Sequence, residues 1–206
     1  SLLSAPITRR AGLAALLAST VALLSLAVPS SAYAEDKKTV KVGIMSGEDE
    51  DVWRVVTAEA AKSGLTVETV VFNDYTQPNE ALERGEIDAN AFQHQPYLDN
   101  QIKTQGYHIV PVGYTGLWPI GLYSKKHTKV AELTKGSVVG VPNDPSNEGR
   151  ALRVLESQKL IKLKDGTGIL ATIADISENP SGIEIKELDA GIVGRSIDDL
   201  DAAVVN

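Results

Sequence analysis

A chain of 206 residues with no cysteine can build neither a disulfide framework nor a thiolate metal site, and it offers no cysteine nucleophile. With 43% hydrophobic and 23% charged residues it can bury the core of one large domain or two small ones, and it has too few charges for a disordered chain. The formal charge is −7, and because residues 1–34 carry Arg9 and Arg10 and no acid, the remainder stands at −9; such a surface argues against a nucleic-acid partner, whose phosphates need clustered Lys and Arg.

The N-terminus reads as an export signal. Arg9-Arg10 precedes an apolar run over 11–28, then Ala32-Tyr33-Ala34 and the acids Glu35-Asp36. A positive region, an apolar stretch and an A-x-A site in that order predict cleavage after Ala34. The competing reading is a membrane anchor, for which the Ala- and Ser-rich run is barely long enough. The paired arginines leave general secretion and twin-arginine export both open. Ser1 in place of methionine implies a trimmed or incomplete start.

Beyond residue 38 the pattern alternates strand and helix. Val40, Val42 and Ile44 predict a strand over 39–45 by their period of two. Glu48-Asp49-Glu50-Asp51 then stand where a helix N-terminus favours negative charge, with Val52, Val55 and Val56 following at helical spacing. The same four acids are also weighed as a metal site. A second strand is predicted over 65–72, a short helix from Gln77-Pro78 to Gly85, and a short strand over 87–89. A helix over 96–105 ends at Gly106, and another strand is expected over 108–112. This alternation predicts a mostly parallel sheet covered by helices, with the ligand side at its carboxyl edge. Residues 45–48, 73–77 and 90–96 lie there. The pattern restarts with an extended segment over 120–124, a strand over 137–141, a helix over 145–159 capped by Asp144, and strands over 183–188 and 202–205. Two α/β units in series, joined near 113–123, predict two lobes with a cleft between them.

Little in the chain suggests catalysis. His94, His108 and His127 follow no zinc-protease spacing, and neither a nucleophile elbow nor a phosphate-binding loop is present. Two stretches are more informative. Phe92-Gln93-His94-Gln95-Pro96-Tyr97, with Tyr75, gathers aromatic rings in a chain where they make up only 5% of residues. Core packing explains that, and so does an apolar pocket with a few polar contacts; ring edges also suit a thioether sulfur. In Asn143-Asp144-Pro145-Ser146-Asn147-Glu148-Gly149-Arg150, a helix N-terminus offers free N–H groups to an anion. Arg150, one to two turns in, is placed to clamp a carboxylate with two parallel bonds, or else to pair with Glu148 or another surface acid.

These stretches carry a resemblance. Residues 119–125 and 141–152, together with Phe72-Asn73-Asp74-Tyr75, Gly85 to Asn90, Phe92-Gln93-His94 and Asp201 to Asn206, closely resemble the methionine-binding substrate-binding proteins of the NlpA lipoprotein family, in family order and spacing over nearly all of the chain after the signal. The resemblance implies an α/β protein with the two-lobed periplasmic-binding (type II) fold, C-terminally truncated. Its parts would be a signal peptide over 1–34, a first lobe over 35–118 without its C-terminal portion, and a crossover and second lobe over 119–206. It implies a periplasmic monomer that encloses methionine or a closely related apolar amino acid and delivers it to an ABC importer permease in the inner membrane, with no cofactor, metal or nucleic acid. Arg150 would hold the ligand carboxylate, Asn147 would help with the polar head, and Asn206 would hold the amino group. Tyr75, Phe92, His94 and Tyr97 would wall the side chain. Two departures stand out. Family members usually carry a lipid-bearing cysteine after the signal, where this chain has Ala34-Glu35, so a soluble product or a different form of anchorage is expected. The family also continues beyond the position of Asn206, so exposed apolar surface, weak binding or poor folding is expected. Alternative functions are an enzyme on the same two-lobed fold, which would need a nucleophile–base pair in the cleft, and a surface antigen or adhesin with a vestigial pocket.

The signal reading is checked by N-terminal sequencing of exported material, which should begin at Glu35. Membrane retention with residues 1–34 intact would show an anchor instead.

Overall fold

In the first strand, β1 (Thr39–Met45), the alternating Val40, Val42 and Ile44 make a ladder that needs a neighbour on each side. The computed structural model describes residues 38–206, so the signal at 1–34 and its cleavage after Ala34 lie outside the described residues. β1 runs parallel to β2 (Thr66–Phe72) in the register Thr39↔Thr66 to Met45↔Phe72. On its other side it pairs in parallel with the two-residue β3 (Ala89–Asn90), in the register Val42↔Ala89. The order β2-β1-β3 brings three carboxyl ends to one edge. Gly43 allows this edge to close: a methyl group there would stand 2.8 Å from Ile87 and 2.9 Å from Phe72.

The helices match expectation within a residue or two, but one of their faces does not. Helix α1 (Glu48–Lys62) has its four acids in the first turn, and the Glu50 carboxylate accepts from Gly47 N. Trp53 and Ala60, not the valines, pack against Val42, Ile44 and Val67. Val52 and Val55 are 49% and 62% exposed. Helical spacing alone does not say which of two apolar rows meets the sheet; the large indole takes that position. Helix α2 (Gln77–Glu83) follows β2, and α3 (Gln95–Gln105) follows β3 and ends on Gly106 at φ 75, a left-handed turn that glycine adopts without strain.

The strand expected over 108–112 does not form, and residues 106–120 have no regular structure. Pro111 lacks an N–H, and no strand among the described residues lies alongside to pair with the segment. Val112, Tyr114 and Leu117 are each more than 90% exposed. The segment is tethered at its start by Glu83, whose carboxylate accepts from His108 N and meets His108 Nδ1, both at 2.8 Å. The third strand also sits two residues later than expected, because Ile87 turns into the core beneath Gly43.

The second half builds a mixed sheet in the order β4-β9-β5-β8 from β4 (Gly121–Tyr123), β5 (Val138–Pro142), β8 (Glu184–Leu188) and β9 (Ala202–Val205). β5 is parallel to both neighbours, and β4 returns antiparallel on β9. Helix α4 (Pro145–Ser157) lays Leu152 and Leu155 on Val139, Val141 and Val204, all fully buried. Val193, Leu200 and Ala203 pack as a smaller cluster. A small hairpin of β6 (Lys162–Leu163) and β7 (Ile176–Glu178) was not anticipated, since strands so short show no period. No helix among the described residues is long and apolar enough to cross a membrane.

Gly149 marks the tightest packing on α4. A methyl group there would collide with the Ile169 carbonyl oxygen and press on Ala171 N, both of them backbone atoms. Gly149→Ala would gain about 1 kcal/mol of helix propensity and lose more by overpacking, which costs about 1–3 kcal/mol and more when backbone must move. Urea denaturation should therefore show a net loss of stability. A gain would mean that the loop over 164–175 gives way freely.

Candidate functional site

The carboxyl edge of the first sheet carries the aromatic residues of the candidate site. Tyr75 lies in the loop between β2 and α2, Phe92 and His94 between β3 and α3, and Tyr97 in the first turn of α3. The rings of Tyr75, Phe92 and Tyr97 meet edge to face, with centroids 5.1, 5.5 and 5.7 Å apart. This geometry is the favoured one for aromatic quadrupoles. The Tyr97 hydroxyl donates to the Tyr75 carbonyl at 2.7 Å. Behind the rings, the fully buried Asn79 accepts from Asn90 Nδ2 and Gln93 Nε2 and donates to Gln93 Oε1. This amide network ties α2 to the chain leaving β3 and thereby sets where Phe92 and His94 point. Composition and period gave no sign of it, since Asn79 and Asn90 each look like surface polar residues.

The second lobe supplies the other residues of the site. Asp144 caps α4: Oδ1 accepts from Asn147 N at 2.9 Å and Ser146 Oγ at 2.7 Å, and Oδ2 accepts from Asn147 Nδ2 at 3.0 Å. The Asp144 carboxylate thus takes one of the free N–H groups at the start of the helix and sets a negative charge there. Asn147 is buried, and its Oδ1 accepts from Arg150 Nη1 at 2.9 Å. Arg150 Nη2 reaches the Trp118 carbonyl at 3.4 Å. Arg150 has no carboxylate within ion-pair distance among the described residues. Pairing with Glu148 is excluded by direction: Glu148 is buried and its Oε1 accepts from Ile173 N at 2.9 Å. Asn206, after β9, donates through Nδ2 to the Tyr75 hydroxyl at 2.7 Å. Its Oδ1 and the Nε2 of His94 are buried with no hydrogen-bond partner.

The structure thus groups Tyr75, Phe92 and Tyr97 in one box, joins Asn206 to it, and holds Arg150 through Asn147. Burial, then the Asp144 charge, pushes the Tyr75 hydroxyl up to about 12, against a smaller lowering by the Asn206 bond. Burial and Asp144 raise Tyr97 as well. Burial, then the Arg150 charge, depresses His94, with Asp144 opposing. Near neutral pH the box is therefore uncharged, and Arg150, Asp144, Asp49 and Asp189 are charges that act on it. Two open depressions of about 460 and 500 Å³ lie elsewhere, around Val130, Leu133 and Gln158, and none of the expected site residues lines them.

Two α/β lobes place their strand ends and a helix start on either side of an aromatic box. The chain belongs to the NlpA lipoprotein family, whose sequence profile matches residues 40–206. The D-methionine-binding lipoprotein MetQ of Escherichia coli (strain K12) is 52% identical over 171 residues, which are 82% of this chain and 63% of that protein. The chain thus spans less than two thirds of that relative's length. A nutrient binding protein from Burkholderia cenocepacia, solved bound to methionine, superposes with a TM-score of 0.75 at 53% identity, over 81% of this chain and 71% of that one. The substrate binding protein of a methionine transporter from Streptococcus pneumoniae superposes with a TM-score of 0.76 at 43% identity, over 82% and 68%.

His94 supplies a pH prediction. Its folded pKa lies below the unfolded value near 6.5, so folding favours the neutral ring. The unfolded chain then binds the proton more readily, and the contribution of His94 to stability is present above about pH 6.5 and lost as pH falls through the folded value. Urea unfolding at pH 7.5 and pH 5 should show a smaller acid-induced loss for His94→Gln than for the wild type. Equal losses would mean that the ring is free to charge.

Proposed function

We propose that this protein captures methionine, or a closely related apolar amino acid, between its lobes and delivers it to an ABC importer permease in the inner membrane. It works as a monomeric binding protein rather than an enzyme, and no metal or cofactor takes part. The observation that carries this reading is a pair of unmet polar demands beside an apolar box: a guanidinium, Arg150, without an acid partner among the described residues, and the buried, unpartnered Oδ1 of Asn206. An orphaned buried acceptor costs about 1–3 kcal/mol. A zwitterion answers both, its carboxylate at Arg150 and its ammonium at Asn206. Asn147 serves by aiming Arg150. Tyr75, Phe92, His94 and Tyr97 enclose the side chain, and ring edges suit a thioether.

Further support comes from relatives whose own names state methionine binding and a methionine transporter. In this reading residues 1–34 are removed on export to the periplasm, the first lobe occupies 35–118, and the crossover and second lobe occupy 119–206. Ligand favours the closed arrangement by binding both lobes, and the importer recognises that arrangement.

Calorimetry with methionine and methionine carboxamide tests the polar head. The wild type should reject the carboxamide. Arg150→Ala should lose about 3–5 kcal/mol of methionine affinity and lose that discrimination, and Arg150→Lys should recover only part, since an ammonium cannot form the two-bond fork. If Arg150→Ala keeps the wild-type preference for the free acid, the assignment is wrong. The aromatic wall is tested by Phe92→Ala, expected to weaken methionine by about 1.5–3 kcal/mol and to leave alanine nearly unchanged. Equal losses for both would make Phe92 a support of the fold.

A further inference from the structure

Between β8 and β9, residues 189–196 form a turn that leaves the second lobe and lies on the carboxyl edge of the first sheet. Gly191 is pressed so close that a methyl group there would stand 2.7 Å from the Met45 side chain and 3.1 Å from the Asn73 carbonyl oxygen. Arg195 reaches from this turn into the first lobe. Its Nη1 donates to Ser46 Oγ at 2.7 Å and Asn73 Oδ1 at 3.2 Å, and its Nη2 donates to the Asn73 carbonyl at 2.7 Å. Asp189 accepts from Gly191 N at 2.8 Å within the turn and from Tyr75 N at 3.3 and 3.4 Å across the cleft. Asp189 and Arg195 therefore hold the two loops that follow β1 and β2, and neither belongs to the aromatic box or to the group around Arg150.

Tyr75 is where this arrangement meets the site. Three groups restrain it: Asp189 at its N–H, Tyr97 at its carbonyl, and Asn206 at its hydroxyl. Tyr97 shares its lobe, while Asp189 and Asn206 come from the other. Two of the three restraints thus exist only while the lobes are together.

We infer that Asp189 and Arg195 form an interlobe latch that holds the closed arrangement and, through the Tyr75 backbone, positions a wall of the site. The latch is made of a few hydrogen bonds at partly exposed groups, and its acceptors around Arg195 are neutral. Each such bond trades against water and is weak in net terms, so the latch biases the closed state without locking it. Opening solvates the Arg195 guanidinium at little cost. Asp189 and Arg195 are positioning residues: losing them should speed release of a ligand they never touch, because affinity changes of this kind fall mainly on dissociation. The effect on ligand rests on the methionine reading; the closure itself does not.

The chain has no cysteine, so Ala58→Cys on α1 and Lys186→Cys on β8, both exposed, take a spin label each without background. Interlobe distances are then measured by electron spin resonance with no ligand added, in the labelled protein and with Arg195→Ala or Arg195→Lys. The expected result is a longer or broader distance distribution for Arg195→Ala, with Arg195→Lys in between and the thermal melt unchanged. Asp189→Asn, which keeps the shape and weakens the acceptor, should shift it the same way. In stopped-flow, Arg195→Ala should release methionine about tenfold faster, bind it at nearly the wild-type rate, and keep the wild-type discrimination against the carboxamide. A distance distribution indifferent to both Arg195→Ala and Asp189→Asn overturns the latch. If the wild type fails to bind methionine while the distances still shift, the ligand reading falls and the latch stands.

Discussion

Asp144 commits its whole carboxylate to the start of one helix, and the second wall of the cleft takes its geometry from that commitment. One oxygen holds the Asn147 N–H and the Ser146 hydroxyl, and the other holds the Asn147 amide nitrogen. With its nitrogen held, the Asn147 oxygen faces Arg150 and aims the guanidinium. Had the helix start been open, its dipole could itself receive an anion, at about 0.3–1 kcal/mol for exposed groups. Capped by Asp144, it presents a negative group instead, and the positive potential in this wall has to come from Arg150. A charge-assisted bond to a guanidinium is the stronger of the two devices, and it is directional.

The first wall follows a different principle. Three parallel strands end on one edge, and the loops that follow them carry rings rather than charges. Burial keeps both phenols protonated and the imidazole neutral, so the rings offer surface, polarisability and two directed polar atoms. Their placement depends on the Asn79, Asn90 and Gln93 amides behind them. A buried amide network of this kind is stabilising only when complete, because each orphaned group would cost more than a bond returns. The candidate site thus joins an uncharged, hydrogen-bonded face to a charged, aimed one.

Apolar side chains that the sequence pattern would send inward stand exposed along the first lobe, on α1 and along residues 106–120. Trp53 displaced the valine row of α1 by filling the space against the sheet. Residues 108–112 stayed irregular because β pairing is a property of two chains, and their own alternation cannot supply the second.

Local pattern determined most of the elements. A period of two in Val40, Val42 and Ile44, the acids ahead of α1, Asp144-Pro145 ahead of α4 and Gly106 after α3 are signals whose physics acts within a few residues, and each element formed where its signal stood. The same local reading singled out Tyr75, Phe92, His94, Tyr97 and Arg150 as candidates, because aromatic rings and an arginine beside a helix start are unusual at short range; Asn147 and Asn206 were implied only by the family resemblance. What the sequence could not decide was which groups meet across distance. That Asn206 reaches Tyr75 across 131 positions and that Arg195 spans 122 positions to Asn73 are outcomes of two sheets facing each other. Hydrogen bonds across such separations leave no period or cap in the chain. They arise only when the packing of two hydrophobic cores brings the loops within 3 Å, and tertiary structure alone decides that.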